Sequence, residues 1–189
     1  MSREKVLELQ GVEHEQSDGA ARAVLDKAKA QVGFIPNMYK NMANLPALLD
    51  TYLHGYALFR EEGGFTPAEQ EVVFLAISHE NGCEYCVSAH SMLAAKMSGV
   101  PEDAIAALRN GSEVADEKLA ALDRFTRGLV RSRGNPSRDD IAAFTDAGYT
   151  EKHVLAVVLA LSVKILSNYS NHLFNSELDS MFSEFAWAE

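Results

Sequence analysis

The chain is 189 residues long, a length that suits one domain with a sizeable core, and residues 1–189 are read here as that single domain. Its 47% hydrophobic and 23% charged content is ordinary for a soluble globular protein. A net charge of -10, from 27 acids against 17 bases, weighs against nucleic acid and anionic membrane as partners, since both select a basic face.

The first thirty residues are polar and mixed in charge, without an apolar signal core, so a cytoplasmic location is expected. No stretch alternates apolar and polar residues for long enough to make a strand. The spacing predicts helices over about 17–32, 45–62, 67–81, 84–98, 101–109, 114–132, 138–147 and 150–184. Gly33, Gly99, Gly111, Gly134 and Gly148 are placed to close helices, and Gly33-Phe34-Ile35-Pro36-Asn37 separates the first from the second. Leu45, Leu48, Leu49, Tyr52 and Leu53 of the second helix either line a substrate channel or fill the core, and the core is the favoured reading. The third helix has the strongest start: Thr66-Pro67-Ala68-Glu69 is a capping box with proline at the first helical position. Pro101 with Glu102 and Asp103, and Thr150 with Glu151, open later helices. The most apolar segment, 154–166, is shorter than a membrane span and interrupted by Lys164. Phe182, Phe185 and Trp187 make the tail from Phe182 to Glu189 an apolar end, expected to dock on the core or on another subunit. Met38, Met42, Met92 and Met97 are core or interface candidates.

The only two cysteines lie in Cys83-Glu84-Tyr85-Cys86-Val87-Ser88-Ala89-His90. On a helix, positions i, i+3 and i+7 share one stripe, so both thiols and the imidazole would line one surface. That set suits thiol redox chemistry. The spacing lets a disulfide close with little backbone movement, the thiolate is the reactive form, and an imidazole moves protons near neutrality. In a reducing compartment such a pair is catalytic or metal-binding before it is a structural disulfide. Three devices favour the thiolate: the start of a helix after the break at Asn81-Gly82, the ring of His90, and a hydrogen bond from the partner thiol. Glu71, on the preceding helix, would approach the pair if the two helices form an antiparallel hairpin. Glu84 is nearer in sequence but points about 100° away from Cys83 on the helix wheel, and Glu69 belongs to the capping box.

Glu71 followed by Cys83-x-x-Cys86-x-x-x-His90 resembles the alkylhydroperoxidase D family, grouped with the carboxymuconolactone decarboxylases, from about Phe65 to Pro101. Fainter likeness runs through Gly33-Phe34-Ile35-Pro36-Asn37 and Asn168-Tyr169-Ser170-Asn171-His172, and the chain is most similar to the peroxidase-related branch. The resemblance implies an all-α AhpD-like helical bundle with the CxxC at the N-terminus of a core helix, assembled as a homotrimer or homohexamer. It implies that Cys86 attacks a small hydroperoxide substrate, that Cys83 resolves the product as a disulfide, and that Glu71 and His90 relay protons. It implies no bound cofactor and no metal; reducing equivalents would come from a dithiol donor such as a lipoylated carrier or a thioredoxin-like protein. Well-studied members carry a histidine immediately before the second cysteine, as part of the relay. Here that position is Tyr85, which donates a hydrogen bond but stays protonated at neutral pH, so Tyr85 is an accessory residue and the relay is shortened or altered.

The same residues admit other readings. The cysteines could be small buried hydrophobes. Cys83, Cys86, His90 and Glu71 could ligate zinc, although structural zinc usually draws on two separated ligand pairs. Glu71 and His90 could serve a carboxymuconolactone decarboxylase-like acid-base enzyme that ignores the thiols, or the pair could sense redox state in a non-catalytic oligomer. Asn168, Asn171 and His172 are expected to bridge buried polar groups. His14, His54, His79 and His153 are expected to be structural or on the surface. The sequence favours a thiol-dependent peroxidase or dithiol-disulfide oxidoreductase working through Cys83 and Cys86.

Overall fold

The computed structural model describes residues 4–188, so Glu189 at the end of the predicted docking tail lies outside the described residues. Among those residues every regular element is helical: α1 (Gly19–Val32), α2 (Asn37–Met42), α3 (Pro46–Glu62), α4 (Pro67–Glu80), α5 (Glu84–Lys96), α6 (Glu102–Asn110), α7 (Glu117–Arg131), α8 (Arg138–Asp146) and α9 (Glu151–Phe174), with 3-10 turns at His14–Gln16 and Ser180–Phe185. The predicted all-α class holds.

Helix α4 is the centre of the bundle and packs against α5, α6, α7 and α9. Its start is the predicted capping box: the Glu69 amide donates to Thr66 Oγ1 at 3.3 Å, and the Thr66 amide donates to Glu69 Oε2 at 2.8 Å. Such a cap contributes about 1 kcal/mol. Every residue from Glu69 to Ser78 is buried, which is why Val72 to Ile77 runs apolar without a polar face. One apolar cluster forms around Phe59, Phe74, Leu75, Leu108, Leu122 and Phe144. A second holds Leu25, Met42, Leu49, Leu53, Cys83 and Cys86. Tyr56 touches both, so the thiols lie beside the seam between the two cores.

Three departures from the sequence reading matter for the site. A short helix, α2, fills part of the interval read as a break; it buries Met38, Tyr39 and Met42, and six residues hold a helix only through such packing. Helix α9 ends at Phe174 rather than near 184, because Asn175 adopts a left-handed conformation (φ 45°) and closes it. The chain then doubles back over α5. Finally, Leu45 is exposed, whereas Leu49, Tyr52 and Leu53 are core as expected.

Helix α9 is long and apolar enough in composition to cross a membrane, which the shorter segment 154–166 is not. Its Lys164, Ser167, Asn168 and Asn171 are nevertheless buried, and it packs against α2, α3, α4 and α5 as a core helix does. The tail docks as predicted through residue 187: the Trp187 indole donates to the Arg109 carbonyl at 2.9 Å and its amide donates to Ser88 Oγ at 3.0 Å. Arg109 in turn holds the carbonyls of Phe185 and Ala186.

Candidate active site

The turn between α4 and α5 places the cysteines. Gly82 takes φ 62°, a conformation glycine adopts without strain. Cys83 caps α5 and donates its amide to the Ser78 carbonyl at 2.9 Å, while Cys86 lies in the first turn. Both are buried free thiols. From α9, Asn171 Nδ2 approaches Cys86 Sγ at 3.3 Å and Cys83 Sγ at 3.7 Å, and Ser167 Oγ lies 4.0 Å from Cys86 Sγ. Asn171 thus bridges buried polar groups, as expected, and the groups are the two thiols.

The hairpin brings Glu71 to the cysteine face as the sequence reading required. Glu71 Oε2 lies 2.8 Å from His90 Nδ1, and Oε1 forms a charge contact of 2.5 Å with Arg60 of α3 that lacks the alignment of a hydrogen bond. On the other side of the ring, His90 Nε2 lies 2.9 Å from Lys164 Nζ. An ammonium only donates, so Nε2 accepts, the proton of the neutral ring sits on Nδ1, and that N–H donates to Glu71. Glu71 and Lys164 are completely buried, at 0% exposure, and His90 is 4% exposed.

The electrostatics follow from this chain of contacts. Burial pushes the Glu71 carboxyl up, but His90 and Arg60 outweigh it and hold it below the ordinary carboxylate value. Burial, reinforced by the Lys164 charge, pushes His90 below its ordinary value, so the ring stays neutral. Burial also pushes both thiols up, but for Cys86 the hydrogen bond from the Cys83 thiol, the Lys164 charge and His90 reverse the sign. Cys86 is therefore held well below the ordinary thiol range, while burial and the Cys86 charge hold Cys83 well above it. The pair is therefore asymmetric, with Cys86 the more acidic thiol.

A cavity of about 320 Å³ opens onto Cys86, His90 and Lys164. Tyr39, Tyr52 and Tyr56 form one wall. Cys83 does not line the cavity. Tyr85 does, but its hydroxyl donates to Asp179 in the returning C-terminal segment, whose carboxylate also accepts from the Asn37 amide at 3.2 Å. Tyr85 thus ties down that segment. Among the described residues, no three His, Cys, Asp or Glu side chains converge as metal ligands. The Lys164 ammonium faces the His90 nitrogen that a zinc ion would need.

Arg60, Lys164 and Asn171 were not identified as members of the site from sequence. Lys164 carried a signal, since a lysine inside the most apolar run of a chain is buried only with a partner. Its partners come from α5, 74 residues away for His90, and no local pattern names them.

Residues 46–127 match the model of the carboxymuconolactone decarboxylase family. The span covers Glu71, Cys83, Cys86 and His90 and stops short of the fainter flanks at 33–37 and 168–172. No curated protein matches the sequence. Among solved structures, the chain is similar to an alkylhydroperoxidase AhpD core, an uncharacterized peroxidase-related protein from Ralstonia eutropha JMP134, at 18% identity and a TM-score of 0.79 over 95% of each chain. It is also similar to an uncharacterized peroxidase-related protein from Silicibacter sp. TM1040, at 16% identity and a TM-score of 0.74 over 95% of this chain and 96% of that one. The debrominase Bmp8, in a complex with 2,3,4-tribromopyrrole, shares the fold at 14% identity and a TM-score of 0.75 over 95% of each chain. The chain carries the AhpD-like fold over nearly its whole length, and its residues 46–127 are similar to the carboxymuconolactone decarboxylase family.

Proposed function

We infer that the protein is a thiol-dependent peroxidase that cycles through a Cys83–Cys86 disulfide. The observation that carries this reading is the asymmetry of the pair: Cys86 meets the cavity and is held well below the ordinary thiol range, while Cys83 stands out of the cavity and is held well above it. Cys86 Sγ attacks the terminal oxygen of a hydroperoxide. The S–O bond forms, the O–O bond breaks, and an alcohol leaves once a proton reaches its oxygen. Cys83 Sγ then displaces the oxygen of the sulfenic acid as water, and the disulfide closes. A dithiol donor, such as a lipoylated carrier or a thioredoxin-like protein, returns two electrons and two protons to restore the thiols. Glu71 keeps the His90 proton on Nδ1, and His90 presents its bare Nε2 to Lys164. This arrangement disfavours the acid-base decarboxylase reading, because neither His90 nitrogen is free for a substrate.

The aromatic wall favours a flat, apolar substrate, and this supports a second reading. The same thiol pair balances removal of bromine from an aryl bromide: thiolate, thiol and Ar–Br give disulfide, Ar–H and bromide. The test treats reduced protein with one equivalent of cumene hydroperoxide or of 2,3,4-tribromopyrrole and follows it by mass spectrometry. The peroxidase reading expects loss of both free thiols and of two hydrogens with cumene hydroperoxide, reversed by a dithiol. Oxidation by the bromopyrrole alone moves the assignment to dehalogenation, and thiols that stay reduced with both refute the redox reading.

A further inference from the structure

Lys164 has no role in the cycle as written. It is a cation at 0% exposure in the middle of α9, with Nζ 2.9 Å from His90 Nε2 and 5.5 Å from the centre of the Phe74 ring, at the inner end of the cavity. A buried cation costs several kcal/mol unless an anion balances it. We propose that Lys164 is the counter-ion of the Cys86 thiolate and the proton donor to the oxygen that leaves when Cys86 is oxidised. The donor half of this proposal rests on the peroxidase reading; the counter-ion half stands without it.

The charge balance of the site carries the argument. Helix α4 contributes Glu71, and α3 answers it with Arg60 at 2.5 Å, so that pair is closed. On α5 the His90 ring is neutral, and Cys83 is held as a thiol. The phenols that face the site, Tyr39 from α2 with Tyr52 and Tyr56 from α3, are pushed up by burial and carry no charge, Tyr56 to about 12. On α9 itself the neighbouring Ser167 and Asn171 are neutral. One positive charge, Lys164, is left to be balanced, and Cys86 is the acidic group left to balance it.

This balance breaks when sulfur is oxidised. Attack by Cys86 Sγ forms the S–O bond and expels an alkoxide, and the sulfenic acid that remains is uncharged. Lys164 has then lost its counter-ion as a base has appeared beside it, and its proton passes to the alkoxide oxygen. The resulting amine takes the Cys83 proton, Cys83 Sγ attacks the Cys86 sulfur, and hydroxide leaves as water with the proton returned by Lys164. Thiolate, thiol, ammonium and hydroperoxide have become disulfide, amine, alcohol and water, and no proton has entered from solvent. The position held by Tyr85 is not needed for this traffic, because Lys164 meets the same cavity as Cys86 from α9.

Two measurements test the proposal. The first is the pH dependence of thiolate ultraviolet absorbance in wild type and in Lys164→Met, a variant of similar volume. Loss of the counter-ion should move the Cys86 transition up by at least about one pH unit, which is about tenfold less thiolate at a fixed pH below both transitions. Superimposable curves would refute the counter-ion role. The second needs no variant: single-turnover oxidation of wild type in weak buffer with a pH indicator. The proposal expects no proton uptake per disulfide formed; uptake of one proton would mean that Lys164 stays charged and is not the donor. If cumene hydroperoxide is not consumed, the peroxidase reading fails by itself. The same proton count with diamide as oxidant then still reads Lys164.

Discussion

Glu71 Oε2 and His90 Nδ1 lie 2.8 Å apart although 19 residues separate them in sequence, and the contact spans the hairpin between α4 and α5. It joins the ion pair with Arg60 on one side to the His90–Lys164 contact on the other, so a carboxylate outside the cavity lining sets which nitrogen of the histidine faces Lys164.

Removing the carboxylate charge should damage both stability and turnover. Glu71→Gln leaves Arg60 without its buried partner and loosens the tautomer of His90. Breaking a buried pair costs about 3–5 kcal/mol when both partners are inaccessible; Arg60 is 22% exposed, so about 2 kcal/mol is expected here. Urea unfolding reads the stability, and a midpoint equal to that of wild type would show that the pair is not a structural element.

The thiols should separate cleanly by substitution. Cys86→Ser is expected to abolish hydroperoxide turnover, whereas Cys83→Ser should still react once and retain a sulfenic acid or mixed disulfide on Cys86, visible as one added oxygen or one reductant adduct by mass spectrometry. Turnover by the Cys86→Ser protein would remove Cys86 from the mechanism.

Acid should destabilise the fold through His90. Its folded-state value lies below the ordinary 6.5, because of burial first and Lys164 second. Below about 6.5 the unfolded chain therefore binds a proton that the folded one refuses. The stabilisation is complete above that pH and is lost as pH falls, by up to about 1.4 kcal/mol per pH unit. Glu71, whose value is also depressed, adds a further loss as pH falls below 4.5. The slope between pH 7 and 5 should be shallower in His90→Asn than in wild type; equal slopes would place the titrating group elsewhere.

Tyr85 should behave as an anchor. Tyr85→Phe removes the hydroxyl that donates to Asp179, and the carboxylate keeps the Asn37 amide. About 1–2 kcal/mol of stability should be lost, with the thiolate titration of Cys86 unchanged. A shifted titration would show that the phenol couples to the sulfurs after all.

The sequence by itself determined the helical class, the capped start of α4 and the stripe of Cys83, Cys86 and His90, because each depends on neighbours within a turn or two along the chain. Glu71 was within reach of the same logic only because one tight turn, at Gly82, folds its helix back onto the stripe. The tertiary structure decided the rest. It ended α9 at Asn175, since an asparagine that turns left-handed is a weaker written signal than a glycine. It placed Asp179 on the hydroxyl of Tyr85 and so tied that side chain to the returning C-terminal segment. It brought Arg60, Lys164 and Asn171 to the site from α3 and α9, although in sequence Lys164 is an interruption in an apolar run and Asn171 a residue expected only to bridge buried polar groups. The charge state of a buried thiol depends on the summed field of groups scattered along the chain, and that field exists only once the helices have packed.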